Sequence, residues 1–251
     1  MFISEDTLKK FQVFSGSTLK IIACISMFID HATLILWHGY RDYISTLDYD
    51  SIMFFKHIYD TGRAIGRAAF PIFCFLLVEG FFHTRNVYRY FVRLLIMALV
   101  SEHAFNLLAS DMPRYPEDQN VYFTLLISLL VMICIDTAKR FLADKPGILT
   151  FVMIAICSLG CLAAYLLKTD YSFKGVIAVT VMYLLHGSRI MTCLGTALSF
   201  IWEPWALTAV APILLYNNKR GLKLKYFFYL FYPLHIYLIY FVVNYVLPRE
   251  F

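Results

Sequence analysis

Long apolar stretches follow one another along almost the entire chain, and this pattern limits the possible folds more than any other feature. They cover residues 19–38, 64–82, 90–109, 120–136, 147–167, 173–187, 189–202, 204–217 and 226–247. A transmembrane helix needs about 20 mainly apolar residues, with a range of roughly 17–25, because it must cross the hydrocarbon core of a bilayer. The sequence therefore predicts an all-α, polytopic transmembrane helix bundle of about nine helices, within a range of roughly eight to ten.

The composition excludes an ordinary soluble protein. Of the 251 residues, 60% are hydrophobic and 16% are charged, whereas soluble domains have about 45–50% apolar and about 25% charged residues. The segments between the apolar stretches are too short for a separate module, so we expect a single transmembrane domain over residues 1–251. The net charge of +5 indicates no nucleic-acid partner, because the basic residues form short clusters between apolar stretches. All six cysteines lie within those stretches, as small buried side chains do, and we expect no metal site.

The distribution of basic residues predicts a cytoplasmic N-terminus and an odd number of crossings. If the stretches alternate in direction from that start, most of the 22 basic residues fall on the cytoplasmic side, as the positive-inside rule requires. These are Lys9, Lys10, Lys20, Arg85, Arg89, Arg93, Lys139, Arg140, Lys145, Arg189, Lys219, Arg220, Lys223 and Lys225. The opposite side keeps Arg41, Lys56, Arg63, Arg67, Arg114, Lys168, Lys174 and Arg249.

The first apolar stretch contains Lys20 and, near its middle, Asp30 and His31. A charged side chain at the bilayer centre costs about 2.5–3.5 kcal/mol on insertion scales, so such residues face a bundle interior and are functional candidates. Lys20 and His31 share one helix face and lie about 16 Å apart along the axis, the lysine at the cytoplasmic end. This arrangement suits a ligand with an anionic head and a reactive end. The alternative is a lysine that anchors the topology and a histidine that only packs.

The second apolar stretch adds Arg67 near one end and Glu79 near the other. Both residues fit a site or a purely structural role equally well, since the arginine can reach lipid headgroups and the glutamate can pair with Arg85. Arg85, Arg89 and Arg93 follow at helical spacing. This row suits either a bound phosphate or an anionic lipid.

Three further polar residues complete the set of candidates. Glu102 lies in the third stretch, and Asn120 opens the fourth, where it is either a site residue or a helix cap. His235 lies near the middle of the last stretch. It either joins His31 in one cavity or packs among the neighbouring tyrosines.

Five segments of the chain together resemble the TraX family. They are LKIIACISMFIDH from residue 19, GRAIGRAAFPIFCFLLVEGFFHTRN from residue 62, RLLIMALVSEHAFNL from residue 93, NVYFTLL from residue 120 and FYPLHIYL from residue 231. The resemblance extends from residue 18 to residue 240 and is weakest between residues 140 and 220. It implies a multi-pass protein of the bacterial cytoplasmic (inner) membrane that is connected with conjugation. Acetylation of a pilin N-terminus is the precedent within the family.

TraX-like proteins are in turn similar to the acyltransferase-3 family of membrane acyltransferases. Those proteins have a basic residue, ten further residues and then a histidine in the first helix, and Lys20 and His31 match this spacing. The run FCFLLVEGF is similar to their second segment, with Glu79 in place of a serine, and Arg89 and Arg93 match a basic pair. The resemblance implies transfer of an acetyl group from cytoplasmic acetyl-CoA to an amine or hydroxyl acceptor. The acceptor would be a pilin N-terminus or a cell-envelope glycan or lipid.

The resemblance also implies roles for the candidates. His31 would be the general base, and Asp30 would orient it or stabilise its imidazolium; Glu102 and His235 complete the expected catalytic set. The residues expected to bind acetyl-CoA are Lys20, Arg67, Glu79, Arg85, Arg89, Arg93 and Asn120. The expected partners are acyl-CoA, membrane lipid and a pilin or cell-envelope acceptor.

Two other functions fit the same residues. A multi-pass transporter or permease subunit also has polar residues at mid-depth, where they line a transport path, and it would show flux that does not depend on CoA. A non-catalytic membrane component of a conjugation or secretion apparatus would tolerate substitution of His31, Asp30 and Glu102.

Overall fold

The computed structural model describes residues 10–110 and 117–247, and these residues form helices and no strands. In chain order the α-helices are α1 (Gly16–Gly39), α2 (Arg41–Ser45), α3 (Tyr49–Gly66), α4 (Ala69–His83), α5 (Val87–Ser110), α6 (Val121–Phe141), α7 (Pro146–Leu166), α8 (Ser172–Leu184), α9 (Arg189–Ser199), α10 (Val210–Leu214) and α11 (Lys225–Phe241). A 3₁₀ helix, Pro204–Ala209, leads into α10, and a π-helical turn, Val242–Val246, extends α11. The predicted all-α class is confirmed.

Six of the described helical segments are long and apolar enough to cross a membrane. They are Gly16–Gly39, Tyr49–His83, Val87–Ala109, Val121–Phe141, Pro146–Leu166 and Tyr226–Val246. Ser172–Leu184 and Pro204–Leu214 are shorter apolar helices, so the predicted stretches after residue 172 are helical but short until the last one. The predicted orientation stays a prediction, and three residues that contribute to it, Lys9, Arg114 and Arg249, lie outside the described residues.

Helix α3 is one that the apolar pattern does not predict. It carries Asp50, Lys56 and Asp60, so no apolar stretch of spanning length is visible between residues 39 and 63. Helix α4 begins only at Ala69, which places Pro71 in its first turn. A proline is tolerated there because the first N–H groups of a helix have no partner within it. Pro71 therefore lies where α4 can begin, just after the interruption that separates α3 from α4.

The described residues divide into two compact units. The terminal unit contains the described residues of 1–72, 103–114 and 203–251, and the central unit contains those of 73–102 and 115–202. The single domain expected over residues 1–251 stays a prediction.

In the terminal unit, α1 packs against both α3 and α11. Two glycines one turn apart on α3 allow its backbone to approach α1 closely. A Cβ atom at Gly62 would lie 2.2 Å from Thr33 Cγ2, and one at Gly66 would lie 2.3 Å from Asp30 Cβ. This is the small-xxx-small packing that membrane helices use, and it brings Arg63, next to the first glycine, to α1.

The start of α1 is joined to the segment before α11 by backbone hydrogen bonds. The amides of Gly16 and Ser17 donate to the carbonyl oxygens of Lys219 and Arg220 at 2.8 and 3.1 Å. Ser15 caps the helix through its side chain. The amides that usually lack partners at a helix N-terminus are therefore largely satisfied by the protein itself.

In the central unit, α6 packs against α7 and α8, and α8 packs in turn against α7 and α9. The fully buried hydroxyl of Thr124 on α6 lies 3.0 Å from that of Thr169, in the connection between α7 and α8. A Cβ atom at Gly160 of α7 would lie 2.3 Å from Val131 of α6. Both contacts fix α7 closely beside α6.

Candidate active site

Two imidazoles from opposite ends of the chain meet in the terminal unit. Nδ1 of His31 on α1 lies 2.8 Å from Nε2 of His235 on α11. The rings are nearly parallel, at 12°, with centroids 4.9 Å apart. His235 is buried, with 4% of its surface exposed, and the His31 side chain is 12% exposed. The predicted convergence of the two histidines is therefore confirmed, and it takes the form of a direct hydrogen bond.

The hydrogen bonds of this pair determine which nitrogen of each neutral ring carries the proton. Nδ1 of His235 lies 2.7 Å from the carbonyl oxygen of Phe231, which can only accept, so this nitrogen donates. Nε2 of a neutral His235 is then bare and accepts the hydrogen bond from His31 Nδ1. Nε2 of a neutral His31 is left without a proton, and such a nitrogen is what a general base needs.

Asp30 is hydrogen-bonded to an arginine and not to His31. Its Oδ2 accepts from Arg63 Nη1 at 2.7 Å, and the two side chains are 14% and 21% exposed. The same oxygen is 4.0 Å from His31 Nε2, which is too far for a hydrogen bond. The other oxygen, Oδ1, is buried and has no hydrogen-bond partner among the described residues. Orientation of His31 therefore falls to His235, and Asp30 can act on an imidazolium at His31 only through its charge.

Lys20 and Arg67, two of the expected acetyl-CoA-binding residues, also belong to the terminal unit. The Lys20 ammonium lies over the ring of Phe228 on α11, 5.4 Å from its centroid. Nε of Arg67 is 3.4 Å from Oε2 of Glu203. The contact with Glu203 is consistent with a structural role for Arg67. Binding of acetyl-CoA by Lys20 or Arg67 stays a prediction.

Glu79 lies at the centre of a second buried cluster, in the central unit. It is 5% exposed, and its Oε1 is 2.9 Å from His186 Nε2 and 3.7 Å from Arg189 Nη1. Its Oε2 is 3.6 Å from His83 Nδ1, which is hydrogen-bonded to the backbone carbonyl oxygen of Glu79 at 2.8 Å. The basic side chains around the glutamate are therefore His186, Arg189 and His83, and not Arg85. Its role in binding acetyl-CoA stays a prediction.

Glu102 and Asn120 bind each other in the central unit. The Asn120 side-chain amide donates to Glu102 Oε2 and, at 2.8 Å, to the carbonyl oxygen of Ala98. Its oxygen accepts from the backbone amide of Tyr122 at 3.0 Å and so caps α6. The capping interpretation of Asn120 is therefore confirmed. Since Glu102 supports the residue that caps α6, its predicted catalytic role gains no support from these contacts.

The three arginines expected at the start of the third stretch differ in their surroundings. Arg85 lies before α5, and Arg89 lies in its first turn. The backbone amide of Arg89 donates to the side-chain oxygen of Asn86 at 2.8 Å, which caps the helix. Arg85 and Arg89 are exposed, whereas Arg93 is half-buried and its guanidinium lies 5.7 Å from the centroid of the Tyr90 ring. They do not form one continuous exposed row, and phosphate binding by them stays a prediction.

The distribution of basic residues placed Arg63 on the side opposite the cytoplasm but did not identify Asp30 as its partner. A usable signal was present, since a lone carboxylate in an apolar helix requires a cation, and the Gly62–Gly66 spacing marks α3 for close helix packing. The partners Glu203, His186 and Arg189 were also missed. They lie at or near short connections, where apolar periodicity gives no information about contacts.

Comparison with known proteins gives three findings. The chain matches the family described as TraX protein over residues 15–243. It is 29% identical over 245 residues to the "Probable fimbrial assembly protein FimC, serogroup H1" of Dichelobacter nodosus, and the alignment covers 89% of this chain and 93% of that relative. No solved structure matches the chain.

Proposed function

The chain belongs to the TraX family, and from that premise we propose that it is a membrane-embedded acetyltransferase with a function in pilus or conjugation systems. It would move an acetyl group from cytoplasmic acetyl-CoA to an acceptor at or across the bacterial inner membrane. Three features support this proposal: the family, the fimbrial assembly protein to which the chain is similar, and the Lys20–His31 spacing that resembles the acyltransferase-3 family. The observation that carries it is the bare Nε2 of His31, which follows from the hydrogen bonds of the histidine pair.

The proposed reaction uses His31 as a general base and then as a general acid. Its Nε2 removes a proton from the acceptor amine while the amine nitrogen attacks the thioester carbonyl carbon. The new C–N bond forms, the C–S bond of the tetrahedral intermediate breaks, and the His31 imidazolium returns the proton to the departing CoA sulfur. His235 holds the His31 ring through Nδ1 at 2.8 Å throughout. The products are the acetylated acceptor and CoA.

The position of Asp30 favours an amine as the acceptor. Its Oδ2 and Nε2 of His31 are both acceptor atoms, and they are 4.0 Å apart. A primary amine has two hydrogens and can direct one at each of these atoms, whereas a hydroxyl has one. The carboxylate also stabilises the imidazolium that forms on His31. A pilin N-terminus fits this requirement better than a sugar or lipid hydroxyl.

The test uses the full chain in proteoliposomes with acetyl-CoA and a peptide that has a free N-terminal amine. Mass spectrometry measures the acetylated peptide, and thiol release measures CoA. We expect His31→Ala to lower the rate about 10²–10⁴-fold, the usual contribution of a general base. His38→Ala, an exposed histidine in the last turn of the same helix, is the matched control and should keep the rate.

Four outcomes would contradict the proposal in different ways. Full transfer by His31→Ala would remove the general base. Peptide or ion flux without any need for acetyl-CoA would favour a transporter, and support of pilus assembly by the His31→Ala variant would favour a non-catalytic component. Acetylation of a glycan or lipid hydroxyl in preference to the peptide would keep the enzyme but change its acceptor.

A further inference from the structure

An apolar groove of about 390 Å³ lies between α1 and α11 in the terminal unit. Its lining residues are Ile21, Cys24, Ile25, Phe28, Leu224, Phe227, Phe228 and Phe231. The α1 members follow the helical spacing of a single stripe. The groove therefore runs along the axis of α1 and is bordered on its other side by the aromatic start of α11.

One end of the groove adjoins the histidine pair. The ring of Phe231 stacks on that of His235, with centroids 4.7 Å apart, and the ring of Phe28 lies 6.3 Å from it. Both phenylalanines line the groove. A molecule that fills the groove to this end therefore contacts the ring that stacks on His235, the hydrogen-bond partner of His31.

The other end of the groove is basic. Lys20 lies over Phe228, a lining residue. The segment just before Leu224 contains Lys219, Arg220 and Lys223, and all three are exposed. The backbone carbonyl oxygens of Lys219 and Arg220 accept hydrogen bonds from the start of α1. The backbone of both residues is therefore held beside α1, while their side chains are exposed.

Basic side chains, and not helix amides, would have to bind an anion at this end. The backbone amides of Gly16 and Ser17 already donate to the loop, and Ser15 accepts from the amide of Thr18 at 3.2 Å. Gly221 turns the loop with φ +71°, and a Cβ there would lie 2.1 Å from the Ser17 hydroxyl oxygen. A residue with a Cβ would therefore be strained at position 221, and the loop with its three basic side chains precedes Leu224, a lining residue of the groove.

We propose that this groove is the donor site, and that the basic loop 219–223 together with Lys20 binds the phosphates of CoA. The apolar groove would hold the extended arm of the donor, and the thioester would lie at the His31–His235 end. Lys20 and His31 are about 16 Å apart along α1, so the site requires a phosphorylated head separated from a reactive carbon by an arm of that length. This inference rests on the proposed function and assigns the phosphates to the terminal unit. From the sequence, Arg85, Arg89 and Arg93, which belong to the central unit, were also expected to bind acetyl-CoA.

A groove-filling substitution tests the apolar part. Ile25 lines the groove and is 57% exposed, so the larger side chain of Ile25→Trp occupies space inside the groove without disturbing the core. We expect it to weaken the binding of CoA to the detergent-solubilised full chain at least tenfold in a titration. Ile22→Trp is the matched control, because Ile22 lies on the same helix but lines a different groove; its affinity for CoA should equal that of the wild type.

A charge substitution tests the basic part. The triple variant Lys219→Gln, Arg220→Gln and Lys223→Gln should weaken CoA binding at least tenfold and reduce its dependence on salt. The control variant Arg41→Gln and Lys56→Gln removes two exposed basic residues elsewhere in the terminal unit and should change neither. Thermal unfolding of each variant verifies that it is folded before affinity is compared.

The outcomes separate this inference from the proposed function. His31→Ala should bind CoA as the wild type does while losing transfer. Wild-type CoA affinity in both Ile25→Trp and the triple variant would overturn the donor site, as would loss of affinity only in Arg89→Gln, and neither result would affect the proposed reaction. Binding of phosphatidylglycerol in nanodiscs that CoA fails to displace would assign the groove to lipid and also overturn it.

Discussion

Asp30 in the terminal unit and Glu79 in the central unit are both carboxylates placed among histidines, and they differ in the basic side chains around them. Arg63 takes the Asp30 carboxylate at 2.7 Å, and His31 stays 4.0 Å away. Glu79 instead bonds directly to His186 at 2.9 Å and has two further basic side chains within 3.7 Å. Near Asp30, His31 and His235 are hydrogen-bonded to each other. Near Glu79, His186 is hydrogen-bonded to the carboxylate.

This difference distinguishes a histidine that can act as a base from one whose N–H is already directed at a carboxylate. An imidazole bonded to a carboxylate directs its N–H at that group. An imidazole whose neighbouring carboxylate is already paired with arginine keeps a bare nitrogen. We therefore expect substitutions in the Asp30 cluster to affect both stability and reaction, and those in the Glu79 cluster to affect stability.

The largest effect is expected from removing Arg63, the arginine that is hydrogen-bonded to Asp30. Arg63→Gln leaves the mostly buried carboxylate without its hydrogen-bonded cation, which should cost about 3–5 kcal/mol in the free energy of unfolding. His83→Ala in the other cluster leaves Glu79 with His186 and Arg189, so the cost should be about 1 kcal/mol or less. Denaturation of the purified proteins in detergent measures both. The double variant Asp30→Asn with Arg63→Gln should recover most of the loss, and equal costs for Arg63→Gln and His83→Ala would contradict the comparison.

A second prediction concerns the close packing that brings Arg63 to Asp30. Gly66→Ala places a Cβ 2.3 Å from Asp30 Cβ, so α1 and α3 must separate, at a cost of about 1–3 kcal/mol or more. Acetyl transfer should fall with it, because Asp30 moves relative to His31. Gly187→Ala in the central unit is the control, since nothing lies within 4 Å of the added Cβ. A melting temperature of Gly66→Ala equal to that of Gly187→Ala would show that the helices are not in this contact.

A third prediction concerns the orientation of His31. His235→Leu removes the acceptor for His31 Nδ1–H, and we expect kcat to fall about 10–100-fold, less than the loss of the base itself, with KM unchanged. His235→Gln keeps an acceptor oxygen and should restore most of the rate. His186→Gln, in the Glu79 cluster, should leave kcat unchanged. A rise in KM without a change in kcat for His235→Leu would assign His235 to binding instead of positioning.

The smallest effect is expected from an exposed pair in the central unit. The hydrogen bond and the charge of Lys168 lower the pKa of Glu117. A lowered pKa in the folded state adds stability above the unfolded value, about 4.3, and this stability is lost as the pH falls through the folded pKa. The melting-temperature difference between wild type and Lys168→Gln should therefore be small near pH 6 and disappear on acidification. A difference that grows below pH 4 would have the wrong sign for this pair.

The fold could largely be predicted from the sequence because apolar length alone identifies helices that cross a membrane. Helix α3 was missed because Asp50, Lys56 and Asp60 interrupt its apolar pattern. The position of α3 beside α1 depends on the close packing of Gly62 and Gly66 against α1, which the structure shows. Periodicity within one helix says nothing about which helix lies beside it.

The candidate site was predicted in its components but not in its connections. The shared face of Lys20 and His31 follows from helical geometry, and the mid-depth positions of His31 and His235 suggested that they meet. The proton positions depend on the carbonyl oxygen of Phe231, which no sequence pattern reveals. The pairing of Asp30 with Arg63 likewise depends on two helices that are not adjacent in sequence.

The histidine pair joins residues that are 204 positions apart in the chain, and this has a consequence for biogenesis. At roughly 5–20 residues per second, a ribosome needs about 10–40 s to pass from the first histidine to the second. During that interval α1 is already synthesised, but its imidazole has no partner. A nascent or truncated chain that lacks α11 therefore also lacks the acceptor that would orient His31 in the proposed reaction.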